Sequence, residues 1–193
     1  YTLILGEGKT SRDEKRVVEN KKDEIEILNS EIKRANDTIG IKKTFIYNFA
    51  DNRFDSVDLL DIVKVISKVK EEIRPDIIFT HYENDLNIDH KITYQAVITA
   101  TRPMQNESVK EIYSFEILSS TEWNYPLSFS PDTFFDIEDT LDLKISAMKE
   151  YKSELCTYPH PRSIEGIELN AKYQGMRVGK KYVEAFKSVR VIR

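Results

Sequence analysis

"PDIIFTHYENDLNIDHKITYQAVITATRP", residues 75–103, reads as a strand, a polar loop and a helix in one unbroken run between two prolines. "DIIFT" is β-branched and aromatic, which suits a strand. Ile92, Tyr94, Ala96, Val97 and Ala100 then carry a helix that must stop before Pro103. A strand that feeds a helix directly is the repeating unit of a parallel α/β sheet.

The same unit recurs upstream. "YTLILGEG" at 1–8 is a short strand ending in a glycine turn, and Ser11 and Glu14 stand at capping-box spacing. Val18, Ile25, Leu28, Ile32 and Ala35 form one apolar stripe, which predicts a helix over roughly 11–36, closed by Gly40. "TFIYNF" at 44–49 is a second strand. Asp55 then begins a helix whose Leu59, Ile62, Val63, Ile66 and Val69 face the core. Downstream, "EIYSFEI" and "TFFDI" are further strands, and a helix from Thr140 buries Leu141, Ile145, Met148 and Leu155. A second helical pattern follows "TYPHPRS", and "EAFKSVRVI" closes the chain as a strand. The pattern predicts an open, mostly parallel α/β sheet, with ligands bound beyond the carboxyl ends of its strands.

At 193 residues a single domain over 1–193 is expected, and 40% hydrophobic content is enough for one core. The 29 basic residues are outnumbered by 33 acidic ones and form no runs, which argues against nucleic acid as a partner. The single Cys156 cannot form an internal disulfide and fits a reducing, cytoplasmic setting. No apolar run approaches the ~18 residues of a membrane span. Nothing in the composition excludes a homo-oligomer.

"GEGKTS" at 6–11 invites a phosphate-binding reading because it joins a strand to a helix. The spacing opposes it: a P-loop needs a glycine five positions before Gly8, where this chain has Leu3. A nucleotide-binding domain built on Gly6 and Gly8 is accordingly the third choice, and Arg12 is kept as a contact for an anionic or sugar ligand. His90 is the better candidate. In a helix's first turn the backbone dipole disfavours imidazolium, which leaves a neutral nitrogen for a metal. Asp85 and Asp89 are placed to accept the other ring N–H. Equally open is a plain polar turn in which Asp85 or Asn87 caps the helix and His90 lies on the surface. His81, at a strand end, is expected to be a hydrogen-bonded structural residue.

"LILGEGKTSR", "FTHYENDLNIDHKITYQAVITATRP", "YKSEL", "PHPRSIEG" and "YQGMRVGKKYVEAF" together resemble, in order and spacing, the zinc-dependent de-N-acetylases of the PIG-L or LmbE type. The resemblance implies a Rossmann-like open sheet with helices on both faces, a Zn2+ cofactor, and hydrolysis of the N-acetyl group of an amino sugar or sugar conjugate. It implies that His90 is a zinc ligand with Asp85 behind it, and that Asn87 and Asp89 are catalytic. Arg12, Arg53, Arg102, His160 and Arg162 are the expected substrate contacts, with Glu184 paired to one of the arginines. Two departures stand out. The "HPDD" segment that carries the other ligands and the general base in the family does not occur between Tyr1 and Arg193, and Asn87 replaces a histidine found in many members. The expectation is that about 30 further residues, one strand and helix, precede Tyr1 and that their strand lies between "YTLIL" and "DIIFT". A catalytically silent carbohydrate-binding member of the same fold is the alternative.

Overall fold

A computed structural model describes residues 1–12 and 17–193, and the side chains of Arg12 and Val18 fall outside it. Six strands and five α-helices alternate among the described residues. Strand β1 (Thr2–Gly6) pairs in parallel with β2 (Thr44–Phe49), with Thr2 opposite Thr44 and Ile4 opposite Ile46. These two form a sheet of their own. The other sheet has β3 (Ile77–His81), β4 (Glu111–Phe115), β5 (Thr133–Asp136) and β6 (Val183–Val191) in the order β3, β4, β6, β5. There β3 runs parallel to β4 with His81 opposite Phe115, and β6 runs antiparallel to β4.

The expected single sheet is thus two open sheets. Strands β1 and β3 do not pair with each other, and each stands at the end of its strand order. No helix among the described residues is long and apolar enough to cross a membrane.

The chain forms two compact units. The first comprises residues 1–51 and 134–184 and holds α1 (Lys22–Thr38), α4 (Leu141–Glu150) and α5 (Ile164–Met176). Helix α1 starts eleven residues later than the apolar stripe suggested, because 3-10 turns at Thr10–Arg12 and Val18–Lys21 occupy the approach. Of the predicted capping box, Glu14 lies outside the described residues. The helix ends where Gly40 takes φ 75°, a left-handed conformation that costs glycine nothing. Ile32 and Ala35 are buried from α1, and Leu141 and Ala147 from α4. Leu155 falls beyond the end of α4. Helix α5 begins on Ser163, whose Oγ accepts from Gly166 N–H at 2.9 Å. A Cβ at Gly166 would lie 2.4 Å from Pro161 O, so "PHPRSIEG" closes only with glycine there.

The second unit comprises residues 52–133 and 185–193 and holds α2 (Leu59–Ile73) and α3 (Ile88–Ala100). Ile62, Val63 and Ile66 of α2 are buried, as are Ala96, Val97 and Ala100 of α3 and Ile112 of β4. Burying such side chains contributes roughly 1.5–3 kcal/mol for each large one. Helix α2 stops at Arg74, held at φ 49° ahead of Pro75, which places Asp76 and β3. This packing carries His81 at the end of β3 and His90 in the first turn of α3.

Candidate functional site

Helix α3 starts on Asn87, whose Oδ1 accepts from Asp89 N–H at 2.8 Å. That bond satisfies one of the helix's orphan donors, and the Asn87 amide N–H2 has no hydrogen-bond partner among the described residues. His90 follows three residues later.

Behind His90 lies Asp85, whose side chain is fully buried. Its Oδ1 sits 2.9 Å from His90 Nδ1 and also accepts from Asn87 N–H at 2.9 Å and from the Ser120 hydroxyl. The Thr121 hydroxyl donates to Oδ2, while Thr121 Oγ1 accepts from Ile117 N–H at 2.7 Å. Burial alone would raise the Asp85 pKa, but the bonds from His90, Ser120, Thr121 and Asn87 outweigh it and hold the carboxyl well below the usual range. Asp85 is therefore ionised and can only accept, so His90 Nδ1 carries the proton and Nε2 keeps its lone pair. Ser120 and Thr121 complete this centre and escaped the sequence reading. They lie 35 and 36 residues from Asp85, at the start of a 3-10 turn, and carry no local signal.

His81 differs from expectation. Its Nδ1 is buried and has no hydrogen-bond partner among the described residues, and the same is true of the neighbouring Thr80 Oγ1. The His81 ring instead lies flat against His90, with centroids 4.1 Å apart and planes 5° from parallel. Phe115 meets its edge at 5.1 Å. Burial and the adjacent His90 depress the His81 pKa to about 3, so it is neutral at ordinary pH.

Asp89 holds backbone donors of the loop before α2. Its carboxylate accepts from Asn52 N–H at 2.7 Å and Phe54 N–H at 2.9 Å, which latches residues 52–54 to the start of α3. Arg53, between those two anchors, is exposed. Arg102 lies just past the opposite end of α3, whose axis runs about 15 Å from His90 to Ala100 at 1.5 Å per residue, and it lines a cavity of about 310 Å³ with Lys70 and Arg74. A place at the edge where β3 delivers His81 is thereby ruled out for it.

The remaining candidates belong to the first unit. Lys9 is 4% exposed, and its ammonium donates to Ser153 Oγ at 3.0 Å and to Glu154 Oε1. Arg162 Nη1 donates to Glu154 Oε2 at 3.2 Å, and Arg162 N–H to His160 Nδ1 at 3.1 Å. Lys9 is thus committed to internal carboxylate and hydroxyl partners, which removes the cation a phosphate-binding loop would need. Glu184 pairs with Lys144, and among the described residues no arginine pairs with it. The side chain of Arg12 lies outside the described residues.

Among the described residues no group of three His, Cys, Asp or Glu is placed to hold a metal. His90 by itself suits one: an ionised carboxylate on Nδ1 sets the tautomer and raises the basicity of Nε2. A strand, a loop and a helix that present such a carboxylate-backed histidine define the class, an open-sheet α/β protein.

The particular family is the GlcNAc-PI de-N-acetylase (PIG-L) family, which the chain matches over residues 1–101 and to which it belongs. The chain is 26% identical, over 141 residues, to a probable N-acetyl-alpha-D-glucosaminyl L-malate deacetylase 2 of Bacillus cereus, covering 72% of this chain and 63% of that relative's length. Among solved structures it resembles the N,N'-diacetylchitobiose deacetylase of Pyrococcus horikoshii, with a TM-score of 0.69 at 19% identity, covering 98% of this chain and 72% of that one. The 4-carboxy-2-hydroxymuconate hydratase of Pseudomonas putida is equally similar, with a TM-score of 0.70 at 19% identity over 99% of this chain and 85% of that one. At such identities the likeness establishes the fold alone, and the fold serves both a deacetylase and a hydratase.

Proposed function

We propose that the protein is a zinc-dependent hydrolase that removes the N-acetyl group from an amino sugar or sugar conjugate. The observation that carries the proposal is the buried Asp85 carboxylate on His90 Nδ1, which leaves the Nε2 lone pair of a first-turn histidine for a metal. Membership of the de-N-acetylase family supports the reaction class.

In this proposal His90 Nε2 is one metal ligand. Zinc, when bound, supplies the polarisation of the amide carbonyl and the activation of water. The chain's own groups do the rest. Asp85 holds the imidazole in the tautomer that can bind. Asn87, its Oδ1 engaged by the helix, has its amide N–H to donate to the oxygen on which negative charge develops. Asp89 is a positioning residue: by latching Asn52 and Phe54 it keeps Arg53 next to the start of α3, where the guanidinium can take a sugar hydroxyl or an anionic substituent. A reducing, cytoplasmic setting belongs to the same proposal and rests on the single Cys156.

The test supplies zinc and N-acetylglucosaminyl malate or diacetylchitobiose and measures release of acetate. Release that stops on chelation and returns with zinc is expected. Sugar binding without acetate release, with or without zinc, would replace the enzyme by a carbohydrate-binding protein.

A further inference from the structure

We propose that His81 is a positioning residue for His90, acting through the face of its ring rather than through a nitrogen. The proposal rests on the metal reading of His90 for its functional consequence, though not for its geometry.

A single hydrogen bond does not fix an imidazole. The torsion that turns a histidine ring is broad, and a ring held only by Nδ1 can rock about that bond and carry Nε2 with it. Asp85 supplies the one bond and sets the tautomer. What removes the rocking is a second flat surface against the ring. His81 supplies it at 4.1 Å with planes only 5° from parallel, and Phe115 braces the far partner by meeting His81 edge-on at 5.1 Å.

The backbone makes this arrangement rigid. His81 is the last residue of β3 and lies opposite Phe115 across the parallel ladder. His90 is in the first turn of a helix capped by Asn87. Phe115, His81 and His90 therefore form one stack spanning two strand ends and a helix start. His81 Nδ1 has no hydrogen-bond partner among the described residues, so its placement there is not explained by a bond at that atom. An aromatic face is what the position uses.

Three variants separate this role from its rivals. His81→Phe keeps a flat ring and loses both nitrogens. His81→Leu keeps apolar bulk and loses the flat face. Phe115→Leu leaves His81 in place and removes its brace. The readouts are the tautomer and side-chain exchange of His90, from long-range nitrogen–proton NMR of the metal-free protein, and zinc affinity by chelator competition.

The wild type and His81→Phe should show one Nδ1-protonated form of His90 and zinc affinities within about threefold. In His81→Leu the His90 signals should broaden or average, and affinity should fall by roughly tenfold or more, the scale of losing an outer-shell partner. Phe115→Leu should lie between and decides the matter if His81→Leu does not fold. Equal losses in His81→Phe and His81→Leu would overturn the proposal in favour of a ring nitrogen as ligand. An unchanged His90 signal in both leucine variants would overturn it outright. A wild type that takes up no zinc, yet shows the ordered His90 tautomer only when a flat ring is present at position 81, would sink the metal reading and leave this one standing.

Discussion

Asp89 and Phe54 are joined by the Phe54 N–H, which donates to Asp89 Oδ1 at 2.9 Å while Asn52 N–H takes Oδ2 at 2.7 Å. One carboxylate in the first turn of α3 thereby closes the loop that precedes α2.

Removing that carboxylate leaves two backbone donors to find new partners, with Phe54 3% exposed. Hydrogen bonds to a charged group contribute about 1.5–3 kcal/mol each, part of which water recovers at Asn52. Asp89→Ala should lower stability by roughly 2–4 kcal/mol in urea unfolding. Asp89→Asn, which keeps one acceptor, should cost less. Zinc uptake should survive in both, and its loss in Asp89→Asn would instead make Asp89 part of the metal site.

Asn87 performs two tasks that separate by substitution. Its Oδ1 caps α3, and its N–H2 has no partner among the described residues. Asn87→Asp keeps the cap and loses the donor, whereas Asn87→Ala loses both. Turnover should fall in both variants by about a hundredfold or more, the usual effect of removing one such donor. Only Asn87→Ala should also lose about 1 kcal/mol of stability. Full turnover in zinc-loaded Asn87→Asp would reduce Asn87 to a cap.

Element by element, local pattern foretold most of this fold, since the stripe of Ile62, Val63 and Ile66 and the alternation around "TFIYNF" depend only on neighbours in sequence. What eluded it depends on distant partners. Nothing local shows that β1 and β2 form a separate sheet, that Glu184 meets Lys144, or that Ser120 and Thr121 reach back to Asp85. His90 was readable because its place at a helix start has chemical meaning alone. The stacking of His81 on it was not, because a ring contact leaves no periodicity.

Asp132 gives a pH dependence of definite sign. Burial would raise its pKa, but the Lys187 ammonium, Ser188 N–H and Ser188 hydroxyl bring it down to about 2. A carboxyl depressed in the fold adds stability above its unfolded pKa of about 3.9, and that contribution disappears as pH falls through about 2. With 42% of the side chain exposed, solvent screening keeps the effect below about 1 kcal/mol. Asp132→Asn should therefore be slightly less stable than wild type at pH 6 and indistinguishable near pH 2. A gap of the same size at both values would assign the loss to packing.

The two histidine loops make opposite predictions for metal. His90 has its Nδ1 on an ionised carboxylate and no partner at Nε2 among the described residues, whereas His160 Nδ1 accepts from Arg162 N–H and serves to close the turn before α5. His90→Ala should abolish zinc uptake, and His160→Ala should leave it near the wild-type level while lowering stability by about 1 kcal/mol for the lost bond. Asp85→Asn falls between these. The amide oxygen can still accept from His90 and Ser120, but it carries no charge and the N–H2 faces the hydroxyl donor of Thr121. Zinc affinity should drop by roughly ten- to a hundredfold, the range for an altered residue behind a ligand. Metal content after dialysis against graded chelator would resolve all three. Equal zinc in His90→Ala and His160→Ala would remove His90 from the site.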